Sequence, residues 1–452
     1  MNVIPFVHEG LGNSSYLLEL PTASAAVIDP DRSVKRYIEA ATARGLRINV
    51  VFETHVHADF ATGAVELATA TGAKVFAPAG GGLRYSHHAL KPGDQVRLDG
   101  ARLDTVGSPG HTPEHLSYVL HNGYNPPLLF SGGSLIVGGA ARTDLISPQD
   151  TDQLTREQYH TLREAYSSLP DDTILYPTHG GGSFCSTGGG SQRTSTLGHE
   201  RQANSLLHFE DEDEFVHWFP TSFPAAPDYF FRMRTFNQRG PSLRLEIKPP
   251  EPLSAEAFDA RRSDAVAIDV RSVEAYSHGH IPGSLNITLR AAYPTWLGWL
   301  VLPATPLLFV LGDANLEAVI DESLLVGYED FAGYLDGGMA AWKNAGFEVA
   351  HIQLLDASAA REAIREGAIA LDVREPSEFA SGHIGGAEHI PLGELSNRAS
   401  DLPQGRPILA YCGHGERASS AASILERAGH GPLLNLAGGM SAWRKHEQRI
   451  SV

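Results

Sequence analysis

Short apolar runs alternate with helix-period segments along residues 1–180. Ser15–Leu20, Ala25–Asp29, Val50–Phe52, Lys74–Ala77, Leu103–Ser108, Leu116–Leu120, Leu128–Phe130 and Thr173–Tyr176 read as strands. Val34–Ala43, Ala61–Thr71 and Glu157–Ser168 carry apolar residues at helical spacing and predict helices. Many short strands with few helices predict an α/β arrangement, two sheets packed between helices. Residues 180–200 are rich in Gly, Ser and Thr and predict a loop. Residues 200–235 regain helical character, and a proline-rich boundary lies at about 240–253.

Beyond that boundary the pattern repeats. Ile268-Asp269-Val270-Arg271, Tyr276 and Gly279-His280-Ile281 return as Leu371-Asp372-Val373-Arg374, Phe379 and Gly382-His383-Ile384. Gly337-Gly338-Met339-Ala340-Ala341-Trp342 returns as Gly438-Gly439-Met440-Ser441-Ala442-Trp443. The offset is 103 residues at the first blocks and 101 at the second. Two ordered matches predict two tandem copies of one α/β domain. The domains expected are 1–245 with a helical appendage, 255–350 and 355–452.

Composition narrows the partners. The net charge is −18, from 53 acidic and 35 basic residues. Such a surface repels nucleic acid and anionic membranes. No apolar run approaches membrane-spanning length, and the first residues lack a signal-peptide pattern, so a cytoplasmic location is expected. Two cysteines, Cys185 and Cys412, exclude a disulfide framework. The composition leaves the oligomeric state open, a homo-oligomer included.

His55-Val56-His57-Ala58-Asp59 comes just after the strand ending at Phe52. In an extended segment alternate side chains share a face, so two imidazoles and a carboxylate are expected to point one way. That donor set suits a divalent metal such as iron or zinc. The competing reading is a polar strand end facing water. The next residue is Phe60, which offers no donor. Cys185, six residues past His179, is either a plain loop cysteine or a sulfur-handling group. His115 and Tyr118 read more readily as a half-exposed strand face, and Arg142 with Asp144 as a structural ion pair.

In the second copy, the strand Pro407–Tyr411 runs into Cys412-Gly413-His414-Gly415-Glu416-Arg417 and then a helix. A strand, a glycine-bearing loop and a helix start direct N–H groups at the first loop residue. A thiol there is favoured as thiolate. Arg417 adds a cation for an anionic substrate. In the first copy Leu311 stands where Cys412 does, so that copy cannot carry sulfur.

The two copies resemble the rhodanese (sulfurtransferase) family in the Asp-Val-Arg, Gly-His-Ile, cysteine-loop and Gly-Gly-Met-x-x-Trp blocks. That resemblance implies a sulfane sulfur carried on Cys412 as a persulfide, with Gly413, His414, Gly415 and Glu416 as the binding cradle and Arg417 beside it. Residues 1–240 resemble the metallo-β-lactamase fold, an αββα sandwich, and within it the persulfide dioxygenase and glyoxalase II branch. The carriers are His55-x-His57-x-Asp59, Ser108-Pro109-Gly110-His111-Thr112, Ser131-Gly132-Gly133-Ser134-Leu135, Ala141-Arg142-Thr143-Asp144-Leu145 and Tyr176-Pro177-Thr178-His179-Gly180. The resemblance implies a metal held by His55, His57 and His111, with Asp59 and His179 the less secure members. It also shows two departures: Phe60 replaces a histidine ligand, and Gly133 replaces the family's aspartate ligand. A dinuclear hydrolase site is therefore disfavoured, and one iron (Fe²⁺) is expected, with zinc as the alternative. Joined in this order, the blocks resemble bacterial sulfide-detoxifying fusions. The implied chemistry is oxidation of a low-molecular-weight thiol persulfide and sulfur transfer involving thiosulfate or sulfite. The alternatives are a sulfurtransferase with a degenerate metal domain, and a metal-dependent thioester hydrolase.

Overall fold

The computed structural model describes residues 2–121, 123, 126–187 and 192–450. The glycines at 188–190 of the expected loop lie outside them. The chain divides into two compact units, Met1–Glu246 with Ser323–Gly327, and Ile247–Glu322 with Tyr328–Val452.

The first unit contains two six-stranded sheets. One runs in the order Val3–His8, Asn13–Leu20, Ser24–Ile28, Arg47–Phe52, Lys74–Pro78 and His88–Leu90. The other runs Ser195–Thr196, Ile174–Pro177, Leu128–Gly132, Leu116–His121, Ala101–Gly107 and Gln95–Leu98. Alternation along the strands makes the layers. Tyr16, Leu18 and Phe52 face Leu103, Tyr118 and Phe130 of the other sheet in one buried core. Their neighbours Leu17, Val27 and Val51 point the other way, onto Tyr37, Ala41 and Leu67 of the flanking helices. Val119 and Leu129 likewise pack on Tyr159, Leu162 and Phe215. Each such side chain stabilises the fold by about 1.5–3 kcal/mol of transfer free energy. The result is the αββα sandwich. The expected helix at 157–168 begins earlier: Thr151–His160 is α-helical and Thr161–Ala165 forms one wider turn. The expected loop at 180–200 ends early, because Leu197–Ala203 is helical, capped by the Thr196 side chain accepting from the His199 N–H.

Parallel pairing brings strand ends together at one edge of this sandwich. Ile28 pairs with Phe52, and Gly132 with Pro177. The residues just beyond those ends, Asp29, Glu53, Gly133 and His179, therefore converge.

The second unit holds two five-stranded parallel sheets of identical order. The first is Pro252–Leu253, Phe331–Leu335, Leu307–Val310, Val266–Asp269 and Leu285–Asn286; the second is Gln353–Leu355, Leu433–Leu436, Ile408–Tyr411, Ile369–Asp372 and Glu388–His389. The cores match position by position: Leu308, Val310, Leu335 and Trp342 correspond to Leu409, Tyr411, Leu436 and Trp443. In each copy the buried aspartate of the Asp-Val-Arg block pairs with the arginine two residues on, Asp269 with Arg271 and Asp372 with Arg374.

The copies also share a seam. The helix Glu416–Arg427, which continues from the Cys412 loop, is buried at every position from Ala418 to Leu425. Ser419 Oγ donates to Asn286 Oδ1 at 2.6 Å, and Ser420 Oγ to the Asn286 carbonyl at 2.6 Å. The Asn286 N–H donates to Ser423 Oγ at 3.2 Å. Glu426 accepts from the Gly283 N–H and meets His280 Nε2 at 3.1 Å. Among the described residues, no helix is long and apolar enough to cross a membrane.

Candidate metal centre and cysteine loop

The strand Arg47–Phe52 stops before the histidine motif, so strand alternation does not set the directions of His55, His57 and Asp59. His55 and His57 lie with ring centroids 4.2 Å apart, but they turn to different partners. Donor atoms of His55, His111 and His179 come within 4.8 Å of one another, as do those of His57, Asp59 and His179. All five residues are almost fully buried. The five expected candidates thus fall into two groups that share His179.

The hydrogen bonds show which atoms are free to ligate. His111 Nδ1 lies 2.6 Å from the Arg142 carbonyl, which fixes the proton there and leaves Nε2 available. His55 Nδ1 bonds Thr54 Oγ1 at 2.8 Å, and its Nε2 stands 3.3 Å from His179 Nε2. Burial first, then the neighbouring imidazoles, pushes His55 well below the usual range, and His111 falls to about 3. Both rings are neutral, as a ligand must be.

His57 is different. Burial lowers its pKa, but Asp29 and Glu53 outweigh burial and raise it to about 10. Its Nε2 contacts Glu53 Oε2 at 2.9 Å and Asp29 Oδ1 at 3.4 Å. Thr54 and Thr178 hydroxyls hold Asp29, and Thr62 holds Glu53. Phe60 stacks on His57, with centroids 4.2 Å apart.

Several buried polar atoms go without hydrogen bonds: both Asp59 oxygens, His57 Nδ1 and His179 Nδ1. His179 Nδ1 is 3.1 Å from Asp59 Oδ2, near enough for an ion pair but not aligned for a hydrogen bond. Orphaned donors and acceptors in a dry site are costly, about 1–3 kcal/mol each. A cation among them would satisfy Asp59 and the free His179 nitrogen, while His57 turns its other nitrogen to Asp29 and Glu53. On this test the residues fit a single metal ion.

Gly133 is filled space rather than a gap. A Cβ there would collide with His111 Cδ2 and press on Ala141. Its N–H donates to His115 Nε2 at 3.0 Å, and His115 Nδ1 bonds Ser108 Oγ. His115 and Tyr118 are therefore not on a half-exposed face: both are buried, and His115 stacks on His55 at 4.9 Å. Arg142 and Asp144 form the expected two-point ion pair, and that pair also carries the carbonyl that orients His111. Cys185 is fully buried. Burial, then the Asp59 carboxylate, pushes its thiol well up.

The cysteine loop is built differently. Cys412 is 1% exposed, and its Sγ accepts the Gly415 N–H at 3.1 Å. The Met440 N–H donates to the Cys412 carbonyl at 2.7 Å and the Ser441 N–H to that of Gly413 at 3.2 Å. Gly438 and Gly439 have φ of +68° and +57°, and a Cβ on Gly439 would strike the Cys412 carbonyl. The Gly-Gly-Met block therefore clamps the loop. His414 is exposed. The Arg417 cation is gripped: Glu378 takes both ends of its guanidinium at 2.6 and 2.8 Å.

The residues in these two constellations match two family models. Residues 8–179 match the metallo-beta-lactamase superfamily, and 254–345 and 356–446 each match the rhodanese-like domain. The chain is 30% identical over 205 residues to the human persulfide dioxygenase ETHE1, covering 45% of this chain and 74% of that protein. The chain belongs to the metallo-β-lactamase superfamily. Two rhodanese-like domains come after that region, and the fusion as a whole is the architecture that the sequence blocks imply. A hydroxyacylglutathione hydrolase of a Polaromonas species is 34% identical over 171 residues, 37% of this chain and 62% of that enzyme. The chain thus spans less than two thirds of that hydrolase. A metallo-β-lactamase structure from Staphylococcus aureus subsp. aureus COL superposes with a TM-score of 0.65 at 30% identity, covering 74% of this chain and 98% of that one.

Glu375, beside the Arg417–Glu378 pair, supplies a test of this corner. Burial raises its pKa to about 7; Arg417 works against the rise, while Glu378 and Glu394 add to it. The folded state holds this proton more tightly than the unfolded chain. Its stabilising contribution is complete below about pH 4.5 and is lost as pH rises through 7. Glu375→Gln should therefore melt increasingly above wild type between those values, with a constant gap beyond. A gap that does not change with pH in thermal melts would refute this.

Proposed function

We propose that the protein oxidises a low-molecular-weight thiol persulfide at one metal ion in the N-terminal domain and moves sulfane sulfur through Cys412. The domains would be 1–245, 255–350 and 355–452, with the middle one catalytically silent. The observation that supports this most directly is the buried Cys412 thiol in a loop whose amide already donates to sulfur, on the same chain as a histidine cluster with an uncompensated carboxylate. Relatives of the N-terminal domain include persulfide dioxygenases, and the C-terminal half is rhodanese-like. Together they point to sulfur metabolism.

His55, His111 and His179 would hold the ion, with Asp59 supplying the charge. When bound, iron would supply the one-electron chemistry that dioxygen requires. The protein's part is orientation: Arg142 fixes His111, Thr54 fixes His55, and the buried walls exclude water. In the overall reaction the outer sulfur of RSSH is oxidised by dioxygen, with water giving the third oxygen, to yield RSH and sulfite. Sulfite can then accept sulfur from a Cys412 persulfide to form thiosulfate. Placing both steps on one chain raises the effective concentration of the shared product.

A second reading has its own observation. The His111 ring occupies the space of the aspartate that Gly133 replaces, and His57 is held protonated by Asp29 and Glu53. These features suit a sulfurtransferase whose N-terminal domain is metal-poor. Metal analysis of protein purified without added metal, run with an oxygen electrode and glutathione persulfide, separates the two. One iron per chain with oxygen uptake is expected. Iron-replete protein that takes up no oxygen would leave only the sulfurtransferase.

A further inference from the structure

The silent copy is an internal control for the active one, since the same fold is kept with and without the cysteine. The shared element is the Asp-Val-Arg pair: Asp269–Arg271 and Asp372–Arg374 make the same bonds. That pair serves the fold. Among the positions that differ around the cysteine is a trio. At the equivalent positions Cys412 becomes Leu311, Arg417 becomes Leu316 and Glu378 becomes Ala275. The equivalence is fixed by the aligned strands and helices: Ile408–Tyr411 with Leu307–Val310, and Pro376–Ala380 with Val273–His278. Ala275 stands at the same helix position, where Ser272 caps the helix instead; in the active copy Glu378 also closes a capping box by accepting the Glu375 N–H at 3.1 Å. The loop clamp is also gone: a Cβ on Gly338 would meet nothing, whereas on Gly439 it would strike Cys412.

In the active copy the three residues are together. A Cβ on Gly413, the residue after Cys412, would lie 3.5 Å from Arg417 Nη2 and 4.0 Å from Glu378 Oε1. The thiolate form of Cys412 acts electrostatically on Arg417. Glu378 is 39 residues upstream of the arginine it grips. A pair that only stabilised the fold would have no reason to vanish with the cysteine.

We propose that Glu378 is a positioning residue for sulfur transfer, holding the Arg417 guanidinium against the Cys412 loop so that its remaining N–H groups face an anionic sulfur donor. This rests on reading Cys412 as the sulfur carrier. In the step concerned, the Cys412 thiolate attacks the outer sulfur of thiosulfate. The S–S bond of the donor breaks, sulfite leaves with the electron pair, and the chain keeps a persulfide anion. Arg417 offsets the negative charge that builds between the two anions, and Glu378 prevents it from swinging into solvent.

The test is a cycle on the full chain with Glu378→Ala, Arg417→Ala, the double variant and Glu378→Asp. Thiosulfate-to-cyanide transfer should fall on the order of 10-fold in kcat/KM in either single variant. The double variant should match Arg417→Ala alone, and Glu378→Asp should recover part of the loss; because Glu378 also accepts the Glu375 N–H in the capping box of its helix, its variants melt slightly lower and the assays are run well below that transition. Additive losses, or a Glu378→Ala protein as active as wild type, overturn the proposal. A second readout needs no turnover: the rate of Cys412 alkylation by anionic iodoacetate relative to neutral iodoacetamide. The ratio should drop alike in both single variants. A rise in Glu378→Ala would mean that the carboxylate masks the arginine rather than holding it, which also overturns the proposal. Wild-type protein that never gains a sulfur atom on Cys412 overturns the carrier reading instead, and the alkylation ratio still decides the role of Glu378.

Discussion

Cys412→Ser is expected to lower thiosulfate-dependent sulfur transfer by more than about 10³-fold while leaving the melting temperature almost unchanged. The reasons are steric and chemical. Serine is nearly the size of cysteine and can accept the Gly415 N–H that now reaches Sγ at 3.1 Å, so the loop and its clamp persist. The hydroxyl, however, is not ionised near neutral pH and cannot form a persulfide. No other group can substitute. Leu311 is aliphatic, and Cys185 is buried with its thiol pushed well up by burial. Mass spectrometry after thiosulfate treatment should show one added sulfur on wild type and none on the variant. A variant retaining a tenth of the activity would remove Cys412 from the mechanism.

His111→Ala is expected to weaken metal binding by more than about 100-fold and to abolish oxygen uptake, while transfer through Cys412 continues at the wild-type rate. Loss of a residue that merely orients a ligand costs about 10–100-fold in metal affinity, so loss of the ligand itself should cost more. His111 contributes a neutral ring with a fixed tautomer and one free nitrogen, in a cluster where His55 and His179 supply the other close nitrogens. Iron per chain and oxygen consumption, measured on the same preparation, check this. Wild-type iron content in the variant would place the metal elsewhere.

The layers of the fold and the tandem repeat were legible because they rest on local periodicity and on recurring blocks. His55, His57 and Asp59 stood out by residue type and spacing, and His111 and His179 through the resemblance of their blocks to the family. Their grouping was not legible, because alternation holds only within a strand and the strand ends at Phe52. Asp29, Glu53 and His115 gave no local signal: they reach the site through parallel pairing and through a hydrogen bond to the Gly133 amide. Glu378 was hidden for the same reason. A grip spanning 39 residues leaves no mark on either segment alone. Gly133 was seen as a missing ligand, but not as the cavity that the His111 ring fills.

The helix Glu416–Arg427 belongs to two cores at once, one in its own copy and one reached through Asn286, Gly283 and His280 of the silent copy. Unfolding either copy strips partners from Ser419, Ser420 and Ser423 and exposes a helix whose middle turns are buried all round. The two copies therefore melt as one cooperative body. Cutting the chain between them is expected to destabilise the copy that carries Cys412, which gives the copy without a cysteine a thermodynamic part in the fold.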